Sequence, residues 1–223
     1  MIRLFYAAPS CSLASMIATE ATGAPYEPVL VDLASDRAVL RAANPTGKVP
    51  ALQADDLVVT DTVAIVYWLA RRYPEAGLLP ADADAAAPAL SIMAWFGSVL
   101  HILRRQYTRP MMFCDGAEAQ AAVKATAAPR YWAELERVER WIETGRLGDP
   151  AQSLGVEAYA LLFYHWGLID RQPVDQLPYY TGLATRLAAR GDVARALARH
   201  ASPLIGRSLG AGIVAGDASH RSS

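Results

Sequence analysis

The chain has 223 residues, 53% of them apolar and 19% charged, with a formal net charge of −1. That balance belongs to a globular chain able to bury a core as one large domain or two small ones, and it gives no electrostatic reason to expect a nucleic acid or an anionic membrane as partner. No cationic stretch leads into an apolar one as in a signal peptide, no apolar run approaches membrane-spanning length, and the two cysteines, Cys11 and Cys114, suggest no disulfide framework, so a reducing cytoplasm is the expected compartment.

In chain order, Ile2 to Tyr6 is a compact apolar strand that breaks at Ala7-Ala8-Pro9-Ser10. A helix follows from about Ser12 to Thr22, with Gly23 as its stop. Glu27 to Asp32 reads as a second strand whose Pro28 suits an edge or a strand start. After a polar, helical segment, Asn44-Pro45-Thr46-Gly47-Lys48 is a cluster of turn formers. Val49 to Gln53 and Leu57 to Thr60 form a hairpin around Ala54-Asp55-Asp56, and Asp61 or Thr62 caps the helix that runs to Arg72. The order is β-α-β, a helical link, then β-β-α.

Between Pro74 and Pro88 the composition turns to Pro, Gly, Ala and Asp, and residues 81–87 are the expected linker between a first domain over 1–80 and a second over 88–205. Strand signals then disappear. Helical stretches run from about Pro88 to Tyr107, Ala117 to Gly145, Ser153 to Ile169, Leu177 to Ala189 and Val193 to His200, with apolar residues at three- and four-residue spacing such as Leu135, Val138 and Ile142. The second half is therefore expected to be an all-α bundle, and 206–223 a Gly- and Ser-rich tail that frays.

Four segments in order carry a resemblance to the glutathione transferase superfamily: Tyr6-Ala7-Ala8-Pro9-Ser10-Cys11-Ser12-Leu13-Ala14-Ser15, Asn44 to Leu52, Thr60-Asp61-Thr62-Val63-Ala64-Ile65, and Tyr73 to Pro80. The first looks like the strand-to-helix turn of the bacterial beta class. The second half matches more loosely, at Leu100-His101, Glu157-Ala158-Tyr159 and His165-Trp166. The resemblance implies an α/β thioredoxin-like first domain, a helical second domain for substrate binding and dimerisation, glutathione as co-substrate without a metal, a hydrophobic electrophile as second substrate, and a homodimer paired across the first long helices of the second domain.

It also implies a site. Such an enzyme must hold the glutathione thiol as a thiolate. Cys11 and Ser12, at a helix start, would donate to the sulfur, and Cys11 could also form a mixed disulfide with glutathione. Val49-Pro50 corresponds to a cis-proline step that aims the Val49 backbone at the cysteinyl residue of glutathione. Asp61-Thr62 would grip the γ-glutamyl end, Lys48 lies near the glycyl carboxylate, His101 would face the thiol, and Tyr6 would support the site. Each has a plain structural alternative: a packed cysteine, an ordinary helix cap, a solvated lysine, a structural histidine, a core tyrosine. Met93, Phe96, Leu100 and Tyr107 either line the acceptor pocket or pack, and Cys114 reads as core.

Several positions depart from the family pattern. Asp61-Thr62 replaces Glu-Ser, Ala94 an Asn, Met16 a His, and Asp36 a basic residue. Leu154 and Glu157 occupy the places of a Ser/Thr-x-x-Asp capping box, with Ser153 as a substitute cap. Two other functions stay open beside conjugation: glutathione-dependent thiol–disulfide exchange through Cys11, and a non-catalytic binding or assembly role on the same fold.

Overall fold

The computed structural model describes residues 1–33 and 38–205; Asp36 and the expected tail over 206–223 lie outside them. Strands β1 (Ile2–Tyr6), β2 (Tyr26–Leu30), β3 (Ala51–Ala54) and β4 (Leu57–Thr60) form one sheet in the order β2-β1-β3-β4. β2 runs parallel to β1 from Ile2 opposite Tyr26 to Tyr6 opposite Leu30, while β3 runs antiparallel to both β1 and β4. Pro28 sits on the edge strand β2, where a missing N–H breaks no central ladder. Helices α1 (Ser12–Ala21), α2 (Ala38–Ala43) and α3 (Thr62–Arg72) complete the expected thioredoxin-like half.

The register already assembles one end of the sheet. Phe5 pairs with Ala51, and Ala51 with Thr60. The chain leaving β1 toward Cys11, the chain entering β3 through Val49-Pro50, and the chain leaving β4 into Asp61 therefore converge on the same sheet edge. Alternation along β1 splits the core: Ile2, Leu4 and Tyr6 join the large cluster shared with α1, α3 and the helical half, whereas Phe5 joins Val31, Leu40, Val49 and Ala51 on the opposite face.

The second half is all helical among the described residues: α4 (Ala83–Trp95), a π-helical turn over Phe96–Leu100, α5 (His101–Thr108), α6 (Ala117–Glu143), α7 (Leu154–Ile169), α8 (Pro178–Ala188) and α9 (Gly191–Arg199). α4 begins inside the stretch expected as linker, because Asp82 accepts from the Ala85 N–H at 2.9 Å and caps it. Pro88 lies inside the helix rather than at its start. Its ring faces the carbonyl of Asp84, an exposed first-turn residue. Together α4, the π turn and α5 make an apolar stretch over Ala83–Thr108 that is long enough to cross a membrane by length and composition alone, counter to the sequence expectation, and only a third of its most apolar part is buried.

α7 is the beam of the molecule. Every residue from Leu154 to Gly167 is buried, and the helix packs against α1, α4 and α8. Its N-terminus is not capped by a side chain: Ser153 makes no cap bond, and its hydroxyl is buried without a partner. The N–H groups of Leu154 and Gly155 instead donate to the carbonyls of Gly77 (3.1 Å) and Leu78 (2.9 Å). A Cβ at Gly155 would lie 2.5 Å from Val66 Cγ1 and 2.8 Å from the Leu78 carbonyl oxygen, so only glycine permits this approach. At the other end of α1, Glu20 is buried and accepts from Tyr26 Oη at 2.6 Å and from Arg195 Nε of α9 at 2.7 Å. Gly155→Ala is expected to cost about 1–3 kcal/mol by overpacking, read as a melting temperature lowered by several degrees. An unchanged melt would show that the contact is slack.

Candidate functional site

A cleft of about 600 Å³ opens at the sheet edge where the three connections meet, closed on the far side by the π turn, α5 and α7. Its walls include Cys11, Lys48, Val49, Pro50, Asp61 and Thr62 from the first half, and Ala94, Ser98, His101, Arg105 and Tyr159 from the second. A neighbouring cavity of about 240 Å³ shares Cys11, Lys48, Val49, His101 and Arg105 and extends toward Pro9, Thr108, Arg109, Met112 and Trp166.

Cys11 is the N-cap residue of α1, and its Sγ donates to the Val49 carbonyl at 3.3 Å. Burial pushes the thiol up to about 11, against the lowering pull of Arg105 and of its own backbone N–H. At neutral pH it is therefore a neutral S–H, with a thiolate fraction on the order of one in ten thousand. The helix end is also less open than the sequence suggests. Ser10 occupies the N–H groups of Ser12 and Leu13, at 3.2 Å through its hydroxyl and 3.3 Å through its carbonyl.

Ser12 does not join Cys11 in the cleft. Its side chain is fully buried, donates to the Ala7 carbonyl at 3.2 Å and accepts from the Ala7 N–H at 3.3 Å, so it braces the β1–α1 loop from beneath. Tyr6 is likewise absent from the walls of both cavities. It packs in the core against the His200 ring, with centroids 5.5 Å apart, because the strand alternation that sends Phe5 to one face sends Tyr6 toward the helical half.

Val49-Pro50 is cis, as the motif implies; a second cis bond, Ala8-Pro9, is not signalled by the sequence. Lys48 is exposed and lines both cavities, and its carbonyl is held by Asn44 Nδ2 at 2.7 Å. Asp61 rather than Thr62 caps α3: its Oδ1 accepts from the Val63 N–H at 3.0 Å, with the backbone at φ 75°. The other carboxylate oxygen makes no hydrogen bond among the described residues and remains exposed in the cleft. Thr62 is buried, takes a long hydrogen bond from Ser15 Oγ at 3.4 Å and lies near the Tyr159 hydroxyl.

His101 faces both cavities, and its Nε2 accepts from Arg105 Nε at 3.2 Å. Burial, joined by the guanidinium groups of Arg105, Arg104 and Arg109, pushes its pKa down to about 3, so the imidazole is neutral and its Nε2 is engaged. Arg105, one helical turn after His101 and on the same face, is the residue that sequence reasoning misses, although the four-residue spacing carries the signal. Tyr159 is the other omission. It lies within a loosely matching stretch of an apolar helix, where its hydroxyl gives no sign of facing Thr62.

Of the two readings left open for the first long helix, packing is the one seen: Met93, Phe96 and Leu100 are fully buried, and the half-buried Tyr107 packs on Tyr131. Cys114 is half-buried near the start of α6, with its Sγ 3.8 Å from the Pro110 carbonyl, rather than in the core. Ala94 leaves part of the cleft wall without a polar group, and Met16 is buried in α1. Among the described residues no group of three or more His, Cys, Asp or Glu side chains could hold a metal.

A thioredoxin-like sheet domain joined to a helical domain, with a thiol, a cis-proline and a capped helix start around one cleft, defines a glutathione-transferase type of architecture. Residues 5–77 match the family described as Glutathione S-transferase, N-terminal domain. Glutathione S-transferase GstA of Escherichia coli O157:H7 is 30% identical over 209 residues, which cover 88% of this chain and 97% of that one. A glutathione transferase homolog from Sulfitobacter with bound glutathione superposes at a TM-score of 0.78 with 28% identity, covering 89% of this chain and 98% of that one. A bacterial beta class glutathione S-transferase from Sphingomonas chungbukensis superposes at 0.76 with 26% identity and covers 89% of this chain. The chain belongs to the glutathione S-transferase family, and the expected fold and enzyme class stand.

The half-buried, neutral thiol gives a direct test. In mass-resolved alkylation by iodoacetamide, the rate at Cys11 is expected to rise about tenfold per pH unit from pH 7 to 10 without a plateau. A plateau near pH 7 would mean a reactive thiolate in the resting protein.

Proposed function

We propose that this protein activates the glutathione thiol for attack on an electrophile. The observation that carries the reading is the convergence of Cys11, the cis Val49-Pro50 step and the Asp61-Thr62 helix start on one cleft. The tripeptide would lie along that edge with its γ-glutamyl ammonium on Asp61, its α-carboxylate at Thr62 and the α3 N-terminus, its cysteinyl backbone on Val49, and its glycyl carboxylate near Lys48. Its sulfur would then meet the Cys11 S–H and lie close to Arg105. A neutral donor and a fixed cation both favour the thiolate over the thiol. His101, neutral and already bonded to Arg105, orients that cation rather than acting as the charged partner. Ser12 and Tyr6 support the walls.

A raised Cys11 pKa argues for conjugation over thiol exchange, since the exchange reaction needs a Cys11 thiolate. The cytoplasm, where glutathione stays reduced and both cysteines stay free, suits the chemistry. A homodimer paired across α4 and α5 is supported by the apolar, mostly uncovered stretch over Ala83–Thr108; light scattering at the mass of a single chain would rule it out.

The test combines calorimetric titration of glutathione with conjugation of an aryl halide. Glutathione is expected to bind in the millimolar range or tighter. Asp61→Asn should weaken binding about tenfold with little change in melting temperature, because Asn caps a helix as well as Asp does while the charge is lost. Cys11→Ala should lower kcat about tenfold through the lost donor. No heat of binding at millimolar glutathione would overturn the proposal. Cys11-dependent reduction of a mixed disulfide, beside conjugation indifferent to Cys11, would favour the exchange reaction instead.

A further inference from the structure

The second cavity next to Cys11 has an unusual balance of charge. Among the described residues its walls carry Lys48, Arg104, Arg105 and Arg109 and no acidic side chain. Arg104 is neutralised in place: its Nε and Nη2 hold the two oxygens of Asp170 at 2.6 and 2.9 Å, and its guanidinium lies 4.1 Å from the Trp166 ring centroid. Among the described residues, Arg105 bonds the neutral His101 ring. Among the described residues, no carboxylate lies within ion-pair distance of Arg105, Arg109 or Lys48. A concave site that collects cations without counter-ions stabilises an incoming anion and costs self-repulsion until one arrives. Pro9 and Met112 add apolar surface to the same cavity, whereas the Trp166 ring is buried beneath the Arg104 guanidinium.

Resting on the transferase reading above, we propose that the acceptor is an electrophile bearing a carboxylate, which Arg109 binds with Arg105 beside it while Pro9 and Met112 receive the apolar body. Cys11 and His101 line this cavity as well as the larger cleft, so an acceptor seated here lies beside the place where the glutathione sulfur must be. Arg109, at the C-cap of α5, is exposed and within reach of an anion entering from solvent. Arg105 belongs to both cavities, which makes it a shared wall between thiolate and acceptor. Arg109 lines only the second, which makes it the selective one.

The reaction that tests this is substitution on a chlorodinitrobenzoate and on its methyl ester. In each, the glutathione thiolate forms a carbon–sulfur bond at the ring carbon bearing chlorine, the carbon–chlorine bond breaks with its electron pair leaving as chloride, and the thiol proton passes to solvent. Because the ester is intrinsically the more reactive, kcat/KM for each compound is divided by its uncatalysed rate constant. The acid is expected to be favoured about tenfold or more, the size of one charge-assisted contact. Arg109→Gln should bring the two compounds to near parity, mainly through KM of the acid, and Arg109→Lys should restore most of the preference. Turnover of the ester with no advantage for the acid, or a preference untouched by Arg109→Gln, overturns this inference and leaves the transferase reading standing. So does a rise in glutathione KM alone, which would assign Arg109 to the glycyl carboxylate. No turnover of either compound overturns both.

Discussion

The close approach of the α7 N-terminus to the first domain is the constraint on which the remaining geometry depends. Two backbone carbonyls, from Gly77 and Leu78, take the place of a side-chain cap on Leu154 and Gly155. The bond is short-ranged and directional, and the missing side chain at Gly155 lets Val66 of α3 close against it. The orientation of a wholly buried helix is thereby fixed against the sheet domain. Tyr159 then reaches Thr62, Trp166 backs the cation-lined cavity, and α4 and α5, packed across the same core, present His101 and Arg105 to Cys11.

Within that frame the site is governed by desolvation more than by helix-end fields. Cys11 and His101 are both held in their neutral forms by burial, and their neighbours share the polar work: the Val49 carbonyl receives the thiol proton, and His101 receives an N–H from Arg105. The fixed positive charge in the cleft beside Cys11 thus comes from an arginine, which stays charged at any working pH. The same economy appears in the core, where His165 bonds Ser202 at 2.7 Å while both nitrogens of His200 are buried without partners, and burial depresses both rings, His200 to about 3 and His165 to about 4.

Much of this was legible in the residues. β1, the β3–β4 hairpin and α3 follow from apolar alternation and from Asp61 and Asp55-Asp56 at positions that need a cap and a turn. Cys11, Lys48, Val49-Pro50, Asp61, Thr62 and His101 do meet around one cleft. Legibility fails where tertiary contact decides. Ser12 and Tyr6 look like site residues in a linear motif, yet a loop backbone bond and the strand's alternation turn them inward. Ser153 has the right chemistry to cap α7 but loses to carbonyls some 75 residues earlier. The start of α4 is hidden by Pro, Ala and Asp that resemble a linker, since composition does not reveal that Asp82 caps. Met93, Phe96 and Leu100 share one face at three- and four-residue spacing, a pattern that marks an apolar face but not whether it packs or lines a pocket.

The π turn at Phe96–Leu100 places Gly97 against Tyr159, where an added Cβ would lie 3.3 Å from the hydroxyl, and it inserts the equivalent of one residue into the helix just before His101. Every side chain downstream is thereby rotated by about 100° relative to an uninterrupted helix. Removing one residue from this turn would therefore bring a different face of α5 to Cys11, a change that no single exchange makes.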